Sequence, residues 1–497
     1  MRVVLISPYP DITSFGLRSL SAWLRQHGIQ TRCLFLPDRF GDEVAAQPER
    51  YPPQVLQDVV ELCRDADLVG VTLMTNYFDN ALQLTAALRE RSAVPVVWGG
   101  VHATIRPEEC LRHADYVCIG DGEETLLELA QTLERGEDPS MIQGLWGKFS
   151  DREFRNAVRP LPASLDAYPP PDWTGHEHFI LAADRVIPMT DAIVQQHLAS
   201  GTVSAMLGKI GYQTMTGRGC PHRCSYCIND AVKKLYGARN YLRWRSTSHV
   251  MDELERIIRQ FPFIGFIWIS DDAFFGRPMQ DIQEFCGEYK RRIGLPFTCL
   301  ASPLTMREDK LAALVDAGLV YLQMGVQSGS PHIQELFNRA RMNNEKLLEA
   351  MHVINKFRDR LLPPSYDFIL DAPWETDEDR RSSLELISRI PKPFRLQPFS
   401  LVLYPGTALH EKATSEGLLQ DERRDVYSKH YAMRAPSYSN LLISLSKSGK
   451  MPSWLLRLGI APIPWRVLGS HTLEPVIRGT FRMLKHLKSL LKPTASH

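Results

Sequence analysis

Two runs of alternating strand and helix signals, parted by a proline-rich stretch, confine this 497-residue chain to an α/β fold of several domains. In the first run, short apolar stretches at 3–7, 31–36, 68–73, 94–100 and 116–120 predict strands. Helical patterns lie between them. Leu17, Leu20, Trp23 and Leu24 share one face of a helix ending near Gln26, and others fit 54–64, 77–91 and 123–134. Strands joined through helices predict a doubly wound parallel sheet of Rossmann-like architecture. Such sheets bind ligands beyond the C-terminal ends of their strands. Three of those ends carry glycine: Gly16, Gly99-Gly100 and Gly120-Asp121-Gly122.

Prolines 160, 162 and 169–171 then break regular structure. A second βα series begins at Tyr212. Strands are expected at 212–216, 264–270, 296–301, 320–326, 366–370 and 396–403, with helices at 248–260, 280–291, 308–317 and 377–389. Six steps predict a partial (β/α)6 barrel, short of the eight of a full one. From Leu441 onward there are nine Lys/Arg and one Glu, mixed with Trp454, Leu455, Leu456, Trp465 and Leu484. This is an amphipathic helical tail, either packed on the barrel or attached to a membrane surface or an apolar substrate.

The formal net charge of +1 gives no sign of nucleic-acid binding. No stretch approaches the ~20 apolar residues that span a bilayer. The opening MRVVLISPYP is too short an apolar run for a secretory leader and reads as a first strand. Nine cysteines, an odd and mostly scattered set, argue against a disulfide framework and for a reducing cytoplasm. Six of them are expected to be buried as small hydrophobes.

Only Cys220, Cys224 and Cys227 cluster, in MTGRGCPHRCSYC (215–227). Three thiolates in a loop after a strand can hold three irons of a cubane that normally takes four cysteines. The iron left over is open to chemistry. Zinc would ask for a fourth Cys or His at structural spacing, and His222 is poorly placed to join its neighbours. The C-x3-C-x-aromatic-C pattern, with Tyr226 as the aromatic, resembles the radical S-adenosylmethionine (SAM) superfamily. That resemblance implies a [4Fe–4S] cluster whose open iron chelates SAM and cleaves it reductively. It also implies that Ser270, Asp271 and Asp272 receive the SAM ammonium group. Met324-Gly325-Val326-Gln327-Ser328-Gly329-Ser330 resembles the family's G-x-E-S-G-S strand end along SAM, with Gln327 in place of Glu. Asp371-Ala372-Pro373-Trp374-Glu375-Thr376 and Tyr404-Pro405-Gly406-Thr407 resemble two further turns of the family.

With the first sheet added, the chain resembles the cobalamin-binding class of that superfamily over about residues 1–410. Gly99, Gly100, Val101, His102, Ala103 and Thr104, and the loop of Gly120, Gly122 and Glu123, match recurrent cobalamin loops of the class. Other cobalamin domains place a cobalt-ligating His in D-x-H-x-x-G. Here Asp11 and Gly16 are present, but Thr13 holds the His position. Cobalt is therefore expected without a protein His below it, facing the loop of Leu73, Met74, Thr75, Asn76 and Tyr77. The resemblance divides the chain into a cobalamin-binding domain (1–140), a connector (141–210), a radical SAM core (211–410) and a C-terminal helical region (411–497). It implies methyl transfer through methylcobalamin to an unactivated carbon or phosphorus of a small-molecule or lipid substrate. Electrons would come from a flavodoxin- or ferredoxin-type donor. The alternatives are radical cyclisation or rearrangement with the same cofactors, or a radical SAM enzyme that has lost cobalamin.

Overall fold

The computed structural model describes residues 1–9, 11–37, 50–237, 240–429, 436–470, 475 and 479. The chain forms two compact units, Met1–Thr298 with Leu403–His430, and Cys299–Val402 with Tyr431–His497.

In the first unit, all five predicted strands are present: β1 (Arg2–Ser7), β2 (Gln30–Phe35), β3 (Leu68–Thr72), β4 (Val96–Gly99) and β5 (Tyr116–Cys118). Their apolar runs are buried on both faces, as parallel strands between helices require; Val3, Val4, Ile6, Val69 and Trp98 have no exposed surface. In register, Leu5 stands opposite Cys33 on β2 and Gly70 on β3. A Cβ on Gly70 would lie 2.9 Å from the Leu5 Cδ2 atom, so the bare backbone makes room for leucine there.

The stretch read as a connector adds four more strands: β6 (Leu145–Phe149), β7 (Arg152–Arg155), β8 (His178–Ala182) and β9 (Arg185–Pro188). The nine-stranded order is β7-β6-β5-β4-β3-β1-β2-β8-β9. β8 joins β2 in parallel, whereas β6, β7 and β9 pair antiparallel with their neighbours. These edge strands are short and partly wet. β7 reads Arg-Glu-Phe-Arg without one buried residue, so it carries no apolar signature. The prolines fall between β7 and β8 and interrupt only that link.

The second series begins with β10 (Ile210–Thr214). A two-residue antiparallel ladder follows, β11 (Gly217–Arg218) against β12 (Arg243–Trp244). The remaining strands are β13 (Ile264–Ile269), β14 (Phe297–Ala301), β15 (Leu319–Gln327), β16 (Ser365–Leu370) and β17 (Arg395–Ser400). All six predicted strands are found; the ladder was not anticipated. Within the first unit β10 pairs in parallel with β13. Within the second, β15 pairs with β16 and β16 with β17, again in parallel. The fold is therefore α/β, a doubly wound sheet followed by a partial barrel sheet with helices at the C-terminus.

Those helices, Tyr438–Ser446, Ser453–Gly459 and Pro462–Leu468, belong to the second unit and bury Leu442, Ile443, Leu456 and Trp465. Leu484 and most of the expected tail after 470 lie outside the described residues. Among the described residues no helix is long and apolar enough to cross a membrane. The six scattered cysteines are all buried.

Candidate functional site

The cysteine loop leaves the end of β10 and is held by the β11–β12 ladder, in which Gly217 faces Trp244 and Arg218 faces Arg243. Cys224 is buried, Cys220 and Cys227 half-buried, and all three are free thiols. The Cys227 N–H donates to the Cys224 carbonyl at 3.0 Å, closing a turn, and Cys227 immediately precedes the helix Ile228–Leu235. Burial pushes the Cys220 thiol up to about 12 and the Cys227 thiol up to about 11. A metal centre would overcome that by binding the thiolates directly. A cubane binds each thiolate to a separate iron, and three free thiols in one loop fit that donor set.

The neighbours of this loop include residues that sequence reasoning did not single out. The Asn229 amide donates to Asp272 Oδ2 at 3.1 Å and lies 3.8 Å from Cys227 Sγ; the Tyr241 hydroxyl donates to the Asn229 carbonyl oxygen at 2.8 Å. Asp272, at an exposed position, is thus brought beside the thiols. Its neighbour Asp271 is placed differently. Asp271 is 2% exposed and accepts hydrogen bonds from the Thr216 N–H, at 2.5 Å, and from the Thr216 hydroxyl. Arg277 donates to the same threonine. Burial holds the Asp271 carboxyl above its ordinary range, against the pull of Arg277 and Thr216. Its role is to fasten the root of the cysteine loop. The Ser270 hydroxyl similarly donates to the Thr214 carbonyl at 3.2 Å.

The other residues expected at SAM lie in the second unit. Gln327 ends β15 in a left-handed conformation (φ 73°) and is half-exposed. Ser328 is buried, its hydroxyl 3.1 Å from that of Ser383, and it accepts from the Ser330 N–H. It pins the strand end to the helix Asp377–Arg389. Thr376, in the second turn motif, caps that helix in a reciprocal box with Asp379. In the first unit, Thr407 of the last turn motif caps the helix Ala408–Ser415.

At the C-terminal edge of the first sheet is a cavity of about 480 Å³. Gly99, Gly100, Val101, Gly120, Gly122 and Glu123 line it, all expected at cobalamin. Gly100 has φ 94°, and a Cβ there would stand 2.8–2.9 Å from the Leu73 backbone, so only glycine lets these two loops close up. The apolar floor is built by Leu5, Leu20, Val97 and Leu126, the rim by polar groups including Arg218 and Asp121. An apolar slot with a polar rim and glycine walls fits a flat heterocycle carrying a ribose phosphate.

The remaining cobalamin candidates are placed differently. Thr13 is buried, its N–H donating to Asp11 Oδ1 at 2.8 Å. Leu73 is fully buried. Thr75 lies 3.0 Å from His102 Nδ1. The Asn76 amide donates to the Tyr427 and Lys429 carbonyls and accepts from the Tyr404 hydroxyl. Met74 is the exposed side chain of that loop. His102 has no exposed surface and does not line the cavity. Its Nε2 is 3.5 Å from Glu109 Oε2, which also accepts from the Tyr427 hydroxyl at 2.6 Å. Burial works against the Glu109 carboxylate, but His102 and Tyr427 outweigh it and hold its pKa below the usual value.

An ion cluster joins the two sites. Arg218, two residues before Cys220, donates to Glu123 Oε1 at 2.5 Å and to Asp121 Oδ2 at 3.2 Å. Arg243 reaches the same Asp121 oxygen at 3.0 Å. The Asp121 N–H donates to the Tyr236 hydroxyl oxygen at 2.7 Å. Nothing in the spacing of Arg218 and Asp121, 97 residues apart, announces this.

Comparison with known proteins agrees with the two halves. The family model of the B12 binding domain matches residues 1–130, and that of the Radical SAM superfamily matches 214–387. An uncharacterized methyltransferase, PH0819, of Pyrococcus horikoshii is 25% identical over 366 residues, 71% of each chain. The bacteriochlorophyllide d C-8(2)-methyltransferase of Chlorobaculum tepidum is 22% identical over 399 residues, 78% of this chain and 77% of its own. The structure of the radical SAM methyltransferase TsrM from Kitasatospora setae, with tryptophan and a SAM analogue, shares the fold. Its TM-score is 0.64 at 18% identity, covering 84% of this chain and 76% of that one. The chain thus carries a B12 binding domain followed by a Radical SAM domain, a pairing that implies SAM, a [4Fe–4S] cluster and cobalamin as its cofactors.

Proposed function

We propose that this enzyme transfers a SAM-derived methyl group to an unactivated carbon or phosphorus of a small-molecule or lipid substrate. The observation that carries the reading is the Arg218 cluster, which ties the glycine-lined cavity to the root of the cysteine loop. Bound there, the cluster would supply the electron that cleaves SAM and cobalamin would carry the methyl group.

Cys220, Cys224 and Cys227 are the proposed cluster ligands, with Tyr226 packed in the same loop. Asp272 is the acid open to the SAM ammonium group, kept in place by Asn229. Gln327 is proposed as a SAM-binding amide. Gly99, Gly100, Gly120 and Gly122 admit the nucleotide tail of cobalamin close to backbone. Thr13, standing where other cobalamin domains carry a ligating His, would hold the cofactor without imidazole, and Met74 is the exposed side chain of the loop after β3 that would be available to it. The proposed domains are 1–140 for cobalamin, 141–210 as a connecting stretch that also adds β6 to β9 to the first sheet, 211–410 for the radical SAM core and 411–497 as a helical tail. An external flavodoxin- or ferredoxin-type donor provides electrons. The cation excess after Leu441 is proposed as a peripheral membrane contact.

Both relatives described above are named as methyltransferases, which supports the reading. The test is anaerobic turnover with methyl-labelled SAM and product mass. A labelled methyl in the product is expected. Loss of hydrogens without that gain would overturn methyl transfer in favour of cyclisation.

A further inference from the structure

The three helices that close the second unit have one side anchored and one side bare. Tyr438 meets the Trp465 ring at 5.7 Å and donates from its hydroxyl to the Gly459 carbonyl. Arg457 donates to Ser388 on the helix Asp377–Arg389. Leu456, Ile460 and Trp465 are buried by this packing. On the opposite side, Trp454 is 68% exposed, Leu458 55%, Ile463 77% and Val467 55%. Trp454 and Leu458 are four residues apart on one short helix, and Ile463 and Val467 on the next, so each pair shares a helix face. Six of the twelve large apolar side chains exposed among the described residues fall within 454–468. That concentration marks an interaction surface, where scattered exposure would mark none.

Charge selects the occupant. From Leu441 to Leu473 the sequence carries Lys447, Lys450, Arg457 and Arg466 and no acidic residue. Beyond it, five more Lys/Arg stand against Glu474 alone. Indole and aliphatic side chains in a stretch with an excess of cations match the boundary of an anionic bilayer, acyl chains below and phosphate headgroups around. We propose that Trp454, Leu455, Leu458, Ile463 and Val467 form a docking face for the surface of an anionic lipid bilayer. This deepens the peripheral contact proposed above and does not depend on the cofactors. The face lies at the membrane surface, since no described helix crosses it. A substrate that is itself lipid would meet the enzyme there.

The experiment is flotation of the full-length chain with vesicles of phosphatidylcholine, with and without phosphatidylglycerol. Binding is expected to the anionic vesicles only, to fall with salt, and to drop about tenfold or more in Trp454→Glu/Leu458→Glu. Both side chains are exposed, so thermal melting of the variant should match the parent. Equal binding to neutral vesicles, or binding unchanged by the substitutions, would overturn the proposal. So would a fall in melting temperature without vesicle binding, which would show that another part of the chain covers the face. A dimer of the parent that the substitutions dissociate, without vesicle binding, would make a second copy the occupant. None of these outcomes bears on methyl transfer.

Discussion

Two loops leave the C-terminal edge of the first sheet and use their polar side chains in opposite ways. The loop after β3 turns Thr75 toward buried His102 and Asn76 toward the backbone of Tyr427 and Lys429. Its polar groups are satisfied internally, leaving Met74 outward. The loop after β5 turns Asp121 and Glu123 toward Arg218, beside the cysteines, while its glycines open the cavity. Strand ends of one sheet thus serve two purposes: one loop is a wall pinned by its own buried contacts, the other a joint between the cavity and the cysteine loop. Residue type does not distinguish them; the partner each side chain finds does.

The comparison breaks most completely at the joint's far end. Replacing Cys220, Cys224 and Cys227 together with Ala is expected to abolish iron and sulfide after anaerobic reconstitution, and SAM cleavage with them. Retention of about four irons per chain, the content of a cubane, would refute the ligand assignment. Cobalamin binding should survive, because the cavity uses none of these residues.

Next in size is the joint itself. Arg218→Met leaves Glu123, 3% exposed, without its guanidinium, while Arg243 still serves Asp121. Removing one partner of a fully buried pair costs about 3–5 kcal/mol, and partial exposure of Arg218 lowers this to about 2–3 kcal/mol. Urea unfolding would measure it, and Arg218→Lys should recover part of the loss. If the joint couples the sites, cobalamin affinity should fall too. A loss of stability with unchanged affinity would reduce the cluster to a structural brace.

The wall loop predicts a smaller effect of another kind. His102→Ala removes the partner of Thr75 and Glu109 and should cost about 1–3 kcal/mol. Glu109 gives the sign of the pH dependence. Its folded pKa is lowered, so its contribution is present above the ordinary carboxylate value and lost as pH falls through the lower folded one. In His102→Ala this acid-side loss should shrink, as melts across the acidic range would show. Electron paramagnetic resonance of bound cobalamin reduced to Co(II) separates wall from ligand. Nitrogen splitting that disappears in His102→Ala would make the histidine a cobalt ligand; no such change is expected from a side chain with no exposed surface.

What the sequence reveals follows the same division. The cysteine trio is legible because its chemistry is set by spacing within eight residues of one loop. The strands of the two βα series are legible because burial on both faces leaves continuous apolar runs. β6 to β9 are not: β7 has no buried residue, and β8, though it joins β2 in parallel, lies in the proline-broken stretch read as a connector. The inward turn of His102 is not legible, because glycine-rich loop motifs specify backbone path and leave the side chains between the glycines free to point inward. Arg218 went unnoticed because an ion pair spanning 97 residues leaves no local pattern.

The smallest effect concerns two adjacent carboxylates, where the contrast between wall and site narrows to one residue. Asp271 is 2% exposed and bonded to Thr216, whereas Asp272 is exposed and shares Asn229 with the Cys227 thiol. Asp271→Asn should therefore act on folding. An amide cannot accept from the Thr216 N–H and hydroxyl as a carboxylate does, and the loop root should loosen. Asp272→Asn should leave folding unchanged and weaken SAM binding about five- to tenfold, about 1–1.4 kcal/mol. That is the low end for a charge-assisted hydrogen bond, because water competes at an exposed site. Titration of the reconstituted, cluster-loaded protein with SAM measures the affinity, and unfolding curves of both variants measure the stability. If Asp272→Asn binds SAM as tightly as the parent while Asp271→Asn does not, the roles of the two are reversed. The inward turn of Asp271 would then have to open when SAM arrives.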